Sequence, residues 1–191
     1  MDEEQIISAL GGRDPAAARE LIDSHGNRLL RSAFLLCHNE TDAQDLVQET
    51  FLQARKSAHR FRGGSAVHTW LHAILLNLSR HYHRDRQRLV CHSHLAEEEI
   101  PAPEEGPSRL DTATAATALT DALRRLTAPH REVLVLRFYE EMKIQQIAAH
   151  LGISTGTVKS RLHYAIAEMR GLLPGEMNLF GSTGTIETEK R

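Results

Sequence analysis

Six polar side chains between residues 155 and 163 are hydrogen-bond donors that are either short or positively charged. Phosphate groups accept hydrogen bonds from such donors, and so do the base edges in the major groove of DNA. The six residues are Thr155, Thr157, Lys159, Ser160, Arg161 and His163. This set is typical of a DNA-contacting surface, provided that a single helix carries all of it.

The flanking sequence predicts that helix as the second half of a helix-turn-helix. Gly152 tolerates a positive φ and suits a tight turn, and the side chain of Ser154 can cap the helix that follows. Apolar residues recur at helical spacing on both sides of the turn. They are Ile144, Ile147, Ala148 and Leu151 before it, and Val158, Leu162, Ala165, Ile166 and Met169 after it. An ordinary helical hairpin with a solvated polar face is the alternative interpretation.

Two further helices upstream carry polar rows. A helix from Thr41, with Gln44 completing a capping box, exposes an acidic surface that includes Asp45 and Glu49. Negative charge near a helix N-terminus is favourable in any protein, so a solvated face explains this surface equally well.

The second helix is predicted over residues 66–88, with Ser65 as its cap. One side is apolar and is expected to face the core, with Val67, Leu71, Ile74, Leu78, Tyr82 and Leu89. A neighbouring side carries Trp70, Asn77, Arg80, His81, Arg84 and Arg88. An aromatic ring and a row of cations suit a single nucleic-acid strand, whose bases stack and whose phosphates need positive charge. The alternative is that Trp70 closes the core and the arginines increase solubility.

Composition predicts two helical domains rather than one. Residues 96–111 contain three prolines, a glycine, six acidic residues and one arginine, a composition that cannot build a core. We therefore predict an all-α chain with a domain at 1–95, an acidic linker at 96–111, a helix-turn-helix domain at 112–173 and a flexible tail at 174–191. The net charge of −2 hides this acidic linker between two near-neutral domains.

The sequence gives little support to a membrane protein, a secreted protein or an enzyme. No apolar run approaches the roughly 20 residues that span a bilayer, and the acidic N-terminus is unlike a secretory signal, so we expect a cytoplasmic protein. Neither a phosphate-binding glycine loop nor a catalytic motif is present, so we expect no enzyme, no cofactor and no small-molecule substrate. The cysteines, Cys37 and Cys91, imply no disulfide framework.

The chain contains twelve histidines, which raises the question of a metal site. Cys91, His92 and His94 are the tightest group of metal-ligating residue types, but no fourth ligand lies nearby in sequence. We therefore expect no metal site and interpret the histidines as a solvated surface. A link to transition-metal resistance is a hypothesis that rests only on their number.

Three segments together resemble the extracytoplasmic-function (ECF) sigma factors of bacterial RNA polymerase. Residues 41–51 are similar to the family's polymerase-binding helix, residues 61–86 to its promoter −10 segment, and residues 126–165 to its −35-binding domain. Their order, and the acidic linker between the second and third, match the family almost from end to end.

The resemblance implies a function for each polar row. One set of residues would dock on the clamp helices of the largest polymerase subunit: Asp45, Leu46, Gln48, Glu49 and Phe51. A second set would capture the melted −10 strand: Phe61, Arg62, Gly63, Gly64, Ser65, Trp70, Asn77, Arg80, Arg84 and Arg88. The six donors at 155–163 would contact the −35 duplex. The chain departs from the family pattern at Ala73, Leu76 and His81, which leaves the −10 base preference open, and at His163 and Tyr164, which leaves the −35 specificity open.

The implied function is transcription initiation, often in stress responses. The implied partners are core RNA polymerase (its clamp helices and flap), promoter DNA and an anti-sigma factor. Because such anti-sigma factors are often membrane-tethered, one of them would hold the protein at the inner membrane. The alternative is a self-sufficient dimeric helix-turn-helix regulator, although residues 1–95 show no dimer interface or ligand-binding module.

Overall fold

The computed structural model describes residues 3–12, 14–92 and 112–173, with side chains at 5–12, 14–84 and 116–173. The chain divides into two compact units, Met1–Glu104 and Glu105–Arg191, called here the N-terminal and C-terminal units. All regular elements in the described ranges are helical, as predicted. The predicted linker and tail lie outside the described residues, and the domain limits that we derived from composition stay predictions. Among the described helices, none is long and apolar enough to cross a membrane.

The described part of the N-terminal unit consists of four α-helices and a short 3₁₀ turn. They are α1 (Glu3–Gly11), α2 (Pro15–Cys37), α3 (Glu40–Ser57), the 3₁₀ turn (Ala58–Arg60) and α4 (Val67–His92). Asp14 caps α2 by accepting a hydrogen bond from the amide of Ala16 at 2.9 Å, and Pro15 occupies the first helical position.

Two predicted helix starts are wrong by one or two residues. Helix α3 begins at Glu40, because Asn39 provides the cap and accepts from the amide of Asp42 at 3.0 Å; Thr41 therefore lies inside the helix. Helix α4 begins at Val67, with the amide of Trp70 donating to the carbonyl of Ala66 at 3.2 Å. Ser65 thus precedes the cap position, and the helix continues beyond the predicted end at 88.

Helix α4 buries a wider face than its apolar pattern predicts. It packs against both α2 and α3. Val67 and Leu71 are buried as predicted, but Ile74, Leu78 and Tyr82 are only half-buried. Among the side chains described for this helix, at 67–84, the other buried ones are His72, Leu75, Leu76 and Ser79. Because α4 has two neighbours, it is covered on two sides, and the single predicted stripe describes one of them.

Polar contacts hold α4 against each neighbour. The imidazole of His72 forms a hydrogen bond at 3.2 Å with the hydroxyl of Ser32 on α2, and both side chains are fully buried. On the other side, the hydroxyl of Tyr82 donates to the carboxylate of Asp42 near the start of α3. These pairs fix α4 between the two helices, because a buried polar group is stable only when it is hydrogen-bonded.

The interpretation of the histidines as a solvated surface is wrong for several of them. His72 is fully buried, and the rings of His25 and His72 flank that of His68 at centroid distances of 5.7 and 6.3 Å. His38, at the C-terminus of α2, is also buried and has a φ of 58°. Within the described residues, no three histidine, cysteine or acidic side chains are placed to hold a metal ion. The side chains of Cys91, His92 and His94 lie outside the described set.

The described part of the C-terminal unit consists of α5 (Thr112–Arg125), α6 (Ala128–Leu134), a π-helical segment (Val135–Tyr139), α7 (Ile144–Leu151) and α8 (Thr155–Leu172). Helix α8 packs on α5, α6 and α7. The imidazole of His130 on α6 lies 3.0 Å from the carboxylate of Glu168 on α8. The sequence did not predict the π-helical segment, in which the amide of Glu140 donates to the carbonyl of Val135 at 2.9 Å.

Candidate nucleic-acid and polymerase interface

The helix-turn-helix is formed by α7 and α8, as predicted. Gly152 has φ 67° and ends α7, and the amide of Ile153 donates to the carbonyl of Ala148 at 3.0 Å. The hydroxyl of Ser154 then accepts from the amide of Thr157 at 3.0 Å and starts α8. The side chains that hold α8 in the core, each at most 2% exposed, are Val158, Leu162, Ala165 and Met169.

Four of the six predicted donors lie on the exposed face of α8. Thr155, Lys159, Ser160 and His163 are exposed. Thr157 is half-buried, and its hydroxyl lies 2.9 Å from that of Ser154, so it belongs to the helix cap. Arg161 is half-buried as well. Of the six predicted donors, four are therefore fully exposed, and the DNA contacts of all six stay predictions.

Tyr164 was not among the predicted DNA-contacting residues, yet it is 60% exposed on the same face of α8. Its ring meets that of His163 edge to face, with a centroid distance of 5.5 Å. The sequence contains a usable signal for it, because Tyr164 follows Ser160 by one helical turn and lies outside the apolar stripe.

The structure divides the five predicted polymerase-binding residues of α3 into two groups. Asp45 and Gln48 are exposed, and Glu49 is half-buried, with its carboxylate accepting from the side-chain amide of Gln53 at 2.7 Å. Leu46 lies in the hydrophobic core at 7% exposure, and Phe51 packs against that core. Leu46 therefore holds α3 in the core, and half-buried Phe51 packs on that core and stays partly exposed.

Leu52 completes the exposed face of α3. It is 38% exposed and follows Asp45 by seven residues, which is two helical turns. The α3 face, defined here as Asp45, Gln48, Glu49 and Leu52, thus combines negative charge, an amide and one aliphatic side chain.

The loop before α4 and the start of that helix form one structure. Residues 62–66 are exposed, and Gly63 has φ 68°, a conformation that side-chain-bearing residues rarely adopt. The rings of Phe61 and Trp70 lie 5.1 Å apart and tilted by 48°. Both are half-buried, so Trp70 partly closes the core and also presents ring surface beside the loop. The two interpretations of Trp70 are therefore compatible.

The polar row of α4 is exposed in part. Asn77 and Arg84 are exposed, and the guanidinium of Arg84 donates to the imidazole of His81 at 2.7 Å. Arg80 is half-buried, and the side chain of Arg88 lies outside the described set. Leu76, one of the departures from the family pattern, is 2% exposed and thus contributes to the core.

The comparisons with known proteins agree with this geometry. Residues 21–89 match the family profile of Sigma-70 region 2, and residues 122–171 match that of Sigma-70, region 4. The ECF RNA polymerase sigma factor SigL of Mycobacterium tuberculosis is 34% identical over 86% of this chain and 93% of its own length. The chain belongs to the ECF sigma factors. The first profile covers α3 and α4, and the second covers the helix-turn-helix.

Other members of the family are similar over most of their length. The RNA polymerase sigma-E factor of Streptomyces coelicolor is 33% identical over 79% of this chain and 82% of its own, and SigV of Bacillus subtilis is 30% identical over 78% and 86%. Among solved structures, CnrH in complex with the cytosolic domain of CnrY is 26% identical with a TM-score of 0.62, covering 89% of this chain and 96% of CnrH. RpoE of Bartonella quintana, in complex with the anti-sigma factor NepR, is 27% identical with a TM-score of 0.64, covering 81% and 94%.

Proposed function

We propose that this ECF sigma factor binds core RNA polymerase and directs it to promoters by two DNA contacts, one in each unit. The observation that carries the proposal is the presence, in a single chain, of an exposed polar face on α3, an exposed polar row on α4 and an exposed donor set on α8. Each surface lies inside the corresponding sigma region. The protein contributes binding and positioning, and the chemistry of RNA synthesis belongs to the polymerase.

The α3 face binds the clamp helices of the largest polymerase subunit. Asp45 and Glu49 provide negative charge for a basic partner, and Leu52 provides an apolar contact between them and the C-terminus of α3. A surface that combines charged and apolar groups in this way is typical of a protein interface that forms and dissociates. Leu46 and Phe51 act indirectly, by holding α3 against the core. In the C-terminal unit, the flap of the polymerase is the proposed partner.

The start of α4 captures a base of the melted −10 element. The exposed loop at 62–66 approaches the strand backbone, and the Phe61–Trp70 pair offers ring surface on which a base stacks. Asn77 lies two helical turns beyond Trp70 and can form hydrogen bonds with a base edge. Arg84 contacts phosphate, as do Arg80 and the predicted Arg88.

On α8, Lys159 and Ser160 lie on the exposed face together with Thr155 and His163, and they contact the −35 duplex in the major groove. Each DNA contact is small, so neither unit alone binds a promoter tightly. When both units are bound to the same polymerase molecule, one DNA contact brings the second DNA site within reach of the other unit. The second DNA contact is then intramolecular and therefore more favourable.

An anti-sigma factor is the proposed regulator. RpoE of Bartonella quintana has been solved with the anti-sigma factor NepR, and CnrH with the cytosolic domain of CnrY. We propose that a similar partner, tethered at the inner membrane, sequesters this cytoplasmic protein by covering the α3 face. Competition between core polymerase and such a partner then controls how much holoenzyme forms.

Run-off transcription tests the proposed function. The purified chain is incubated with a random-sequence promoter library, with and without core RNA polymerase, and transcripts are recovered and sequenced. We expect specific transcripts only when both the chain and core polymerase are present. Tight sequence-specific DNA binding by the isolated chain, unaffected by polymerase, would instead support the dimeric regulator.

Replacing Asn77 with alanine is expected to slow promoter opening about tenfold while leaving duplex recognition unchanged. A base-specific contact contributes about 1–3 kcal/mol, and this one forms only with the melted strand. Permanganate footprinting measures opening, and competition binding at low temperature measures duplex recognition. Asn27→Ala, which removes an exposed asparagine from α2, is the matched control. Equal losses in both assays would contradict strand capture by Asn77.

A further inference from the structure

Tyr164 is the most exposed large apolar or aromatic side chain in the described residues, and no packing requirement explains it. The core face of α8 is complete without it, since Val158, Leu162, Ala165 and Met169 are all buried. At 60% exposure, its ring contacts water over most of its surface, which is unfavourable unless a partner covers it. The side chain therefore suggests a contact that forms on binding.

The position of Tyr164 on α8 indicates what that contact is. Gly156, Ser160 and Tyr164 follow each other at intervals of four residues, so they form one row along the helix. The first two side chains are small and allow the helix backbone to approach a surface closely, whereas Tyr164 extends from the row. Lys159 and His163 form the parallel row beside it, and both are exposed. Tyr164 thus belongs to the face that we propose to enter the major groove.

The ring of Tyr164 is held by its neighbour. His163 packs against it edge to face, at a centroid distance of 5.5 Å and an interplanar angle of 75°. Such geometry is favourable for aromatic pairs and reduces the entropy that the tyrosine loses when it binds. The His163–Tyr164 pair therefore presents a partly ordered aromatic surface on α8, beside exposed hydrogen-bond donors that are short or charged.

Only one base carries an apolar group in the major groove, and that is thymine, through its C5-methyl group. A tyrosine ring can cover this methyl group, but it lacks the two parallel donors with which arginine binds guanine. We propose that Tyr164, supported by His163, contacts the methyl group of a thymine in the −35 element and so makes the chain selective for thymine at that position. This inference rests on the proposed function, in which α8 binds the −35 duplex.

Deoxyuridine substitution tests the inference, because it removes the methyl group and changes no hydrogen bond. Holoenzyme is assembled from core polymerase and the full chain, and a promoter is selected from the random library. Each thymine of its −35 element is then replaced singly by deoxyuridine, and the relative affinity of the holoenzyme is measured by competition. We expect one position at which affinity falls about fourfold, the effect of exposing one methyl group.

Two variants assign that effect to the ring. With Tyr164→Ala, affinity for the parent promoter is expected to fall, and the deoxyuridine substitution is expected to have no further effect. With Tyr164→Phe, both the affinity and the fourfold effect are expected to persist, because the ring is retained. Gly171→Ala, at the far end of α8 where an added methyl group meets nothing within 4 Å, serves as the control and should behave as wild type.

Three results would overturn the inference. The first is a −35 element in which no thymine methyl group affects affinity, and the second is a deoxyuridine effect that survives in Tyr164→Ala. A loss in Tyr164→Phe equal to that in Tyr164→Ala would assign the contact to the hydroxyl group and a phosphate. Failure of the proposed function gives a different result, since the wild-type holoenzyme would then select no promoter at all.

Discussion

Replacing Asp45 with arginine is expected to abolish binding to core RNA polymerase. Asp45 is exposed at the N-terminal end of the α3 face, and its carboxylate is proposed to meet basic side chains of the clamp helices. Charge reversal replaces attraction by repulsion at an interface from which water is excluded, which costs several kcal/mol. We therefore expect an affinity loss of about 100-fold or more, measured by co-purification and by fluorescence titration with core polymerase.

The matched control is Asp23→Arg, which reverses the charge of an exposed aspartate on α2 of the same unit. It changes the net charge of the protein by the same amount but leaves the α3 face intact, so affinity for polymerase should stay within about twofold of wild type. Circular dichroism should show unchanged helicity for both variants, because each position is on the surface. Undiminished co-purification of Asp45→Arg with polymerase would contradict the assignment of the α3 face.

Leu52→Ala, which removes apolar area and changes no charge, would separate the two components of the same interface. If the apolar contact matters, this variant loses affinity at high salt as well as at low salt, whereas loss of charge complementarity alone is greatest at low salt. The comparison distinguishes an interface centred on Leu52 from one that depends on long-range attraction.

The sequence predicts the helix-turn-helix well because its determinants are local. Gly152 allows the turn, Ser154 caps the helix three residues before the amide that it binds, and Val158 lies one turn further on. Each signal acts within about one helical turn, so tertiary contacts have little opportunity to change the outcome. The exposure of the six donors is harder to predict, because exposure depends on neighbours: the hydroxyl of Thr157 lies beside that of the cap residue Ser154, and Arg161 is half-buried.

Helix α4 shows why other features could not be predicted. The hydrogen bond between His72 and Ser32 joins residues that are 40 positions apart, and so does the one between Tyr82 and Asp42. Apolar periodicity assigns histidine and serine to the surface, yet here they are buried because each provides the partner of the other. The cap residue of α3 was predicted wrongly for a local reason. Asn39 and Thr41 are both suitable residue types for a helix cap, and only the backbone conformation selects Asn39.

Arg131 is a further case in which burial gives a charged residue an unexpected structural function. It is only 8% exposed, and its guanidinium reaches back to the end of α5. The Nε group donates to the carbonyl of Leu123 at 3.0 Å, and Nη2 donates to the carbonyls of Leu126 at 2.9 Å and Arg124 at 3.3 Å. The last carbonyls of a helix have no partner within it, and positive charge is favourable at that end. Arg131 thus closes α5 and fixes it to the start of α6.

Replacing Arg131 with alanine is expected to destabilise the C-terminal unit by about 3 kcal/mol, because three charge-assisted hydrogen bonds to backbone carbonyls are lost. That is a large part of the stability of a small domain. Urea denaturation followed by circular dichroism measures the change, and Arg125→Ala, an exposed arginine at the end of α5, is the control.

The functional consequence of Arg131→Ala should be confined to one unit. The α3 face lies in the N-terminal unit, whereas α5, α6 and α8 lie in the C-terminal unit. The variant should therefore still bind core polymerase through the clamp contact, whereas the flap contact and promoter recognition through α8 should fail. The opposite result is expected for Asp45→Arg, which should lose its affinity for core polymerase while both units stay folded. Loss of polymerase binding equal to that of Asp45→Arg would mean that the two units do not fold independently, and the assignment of the clamp contact to the N-terminal unit alone would then have to be abandoned.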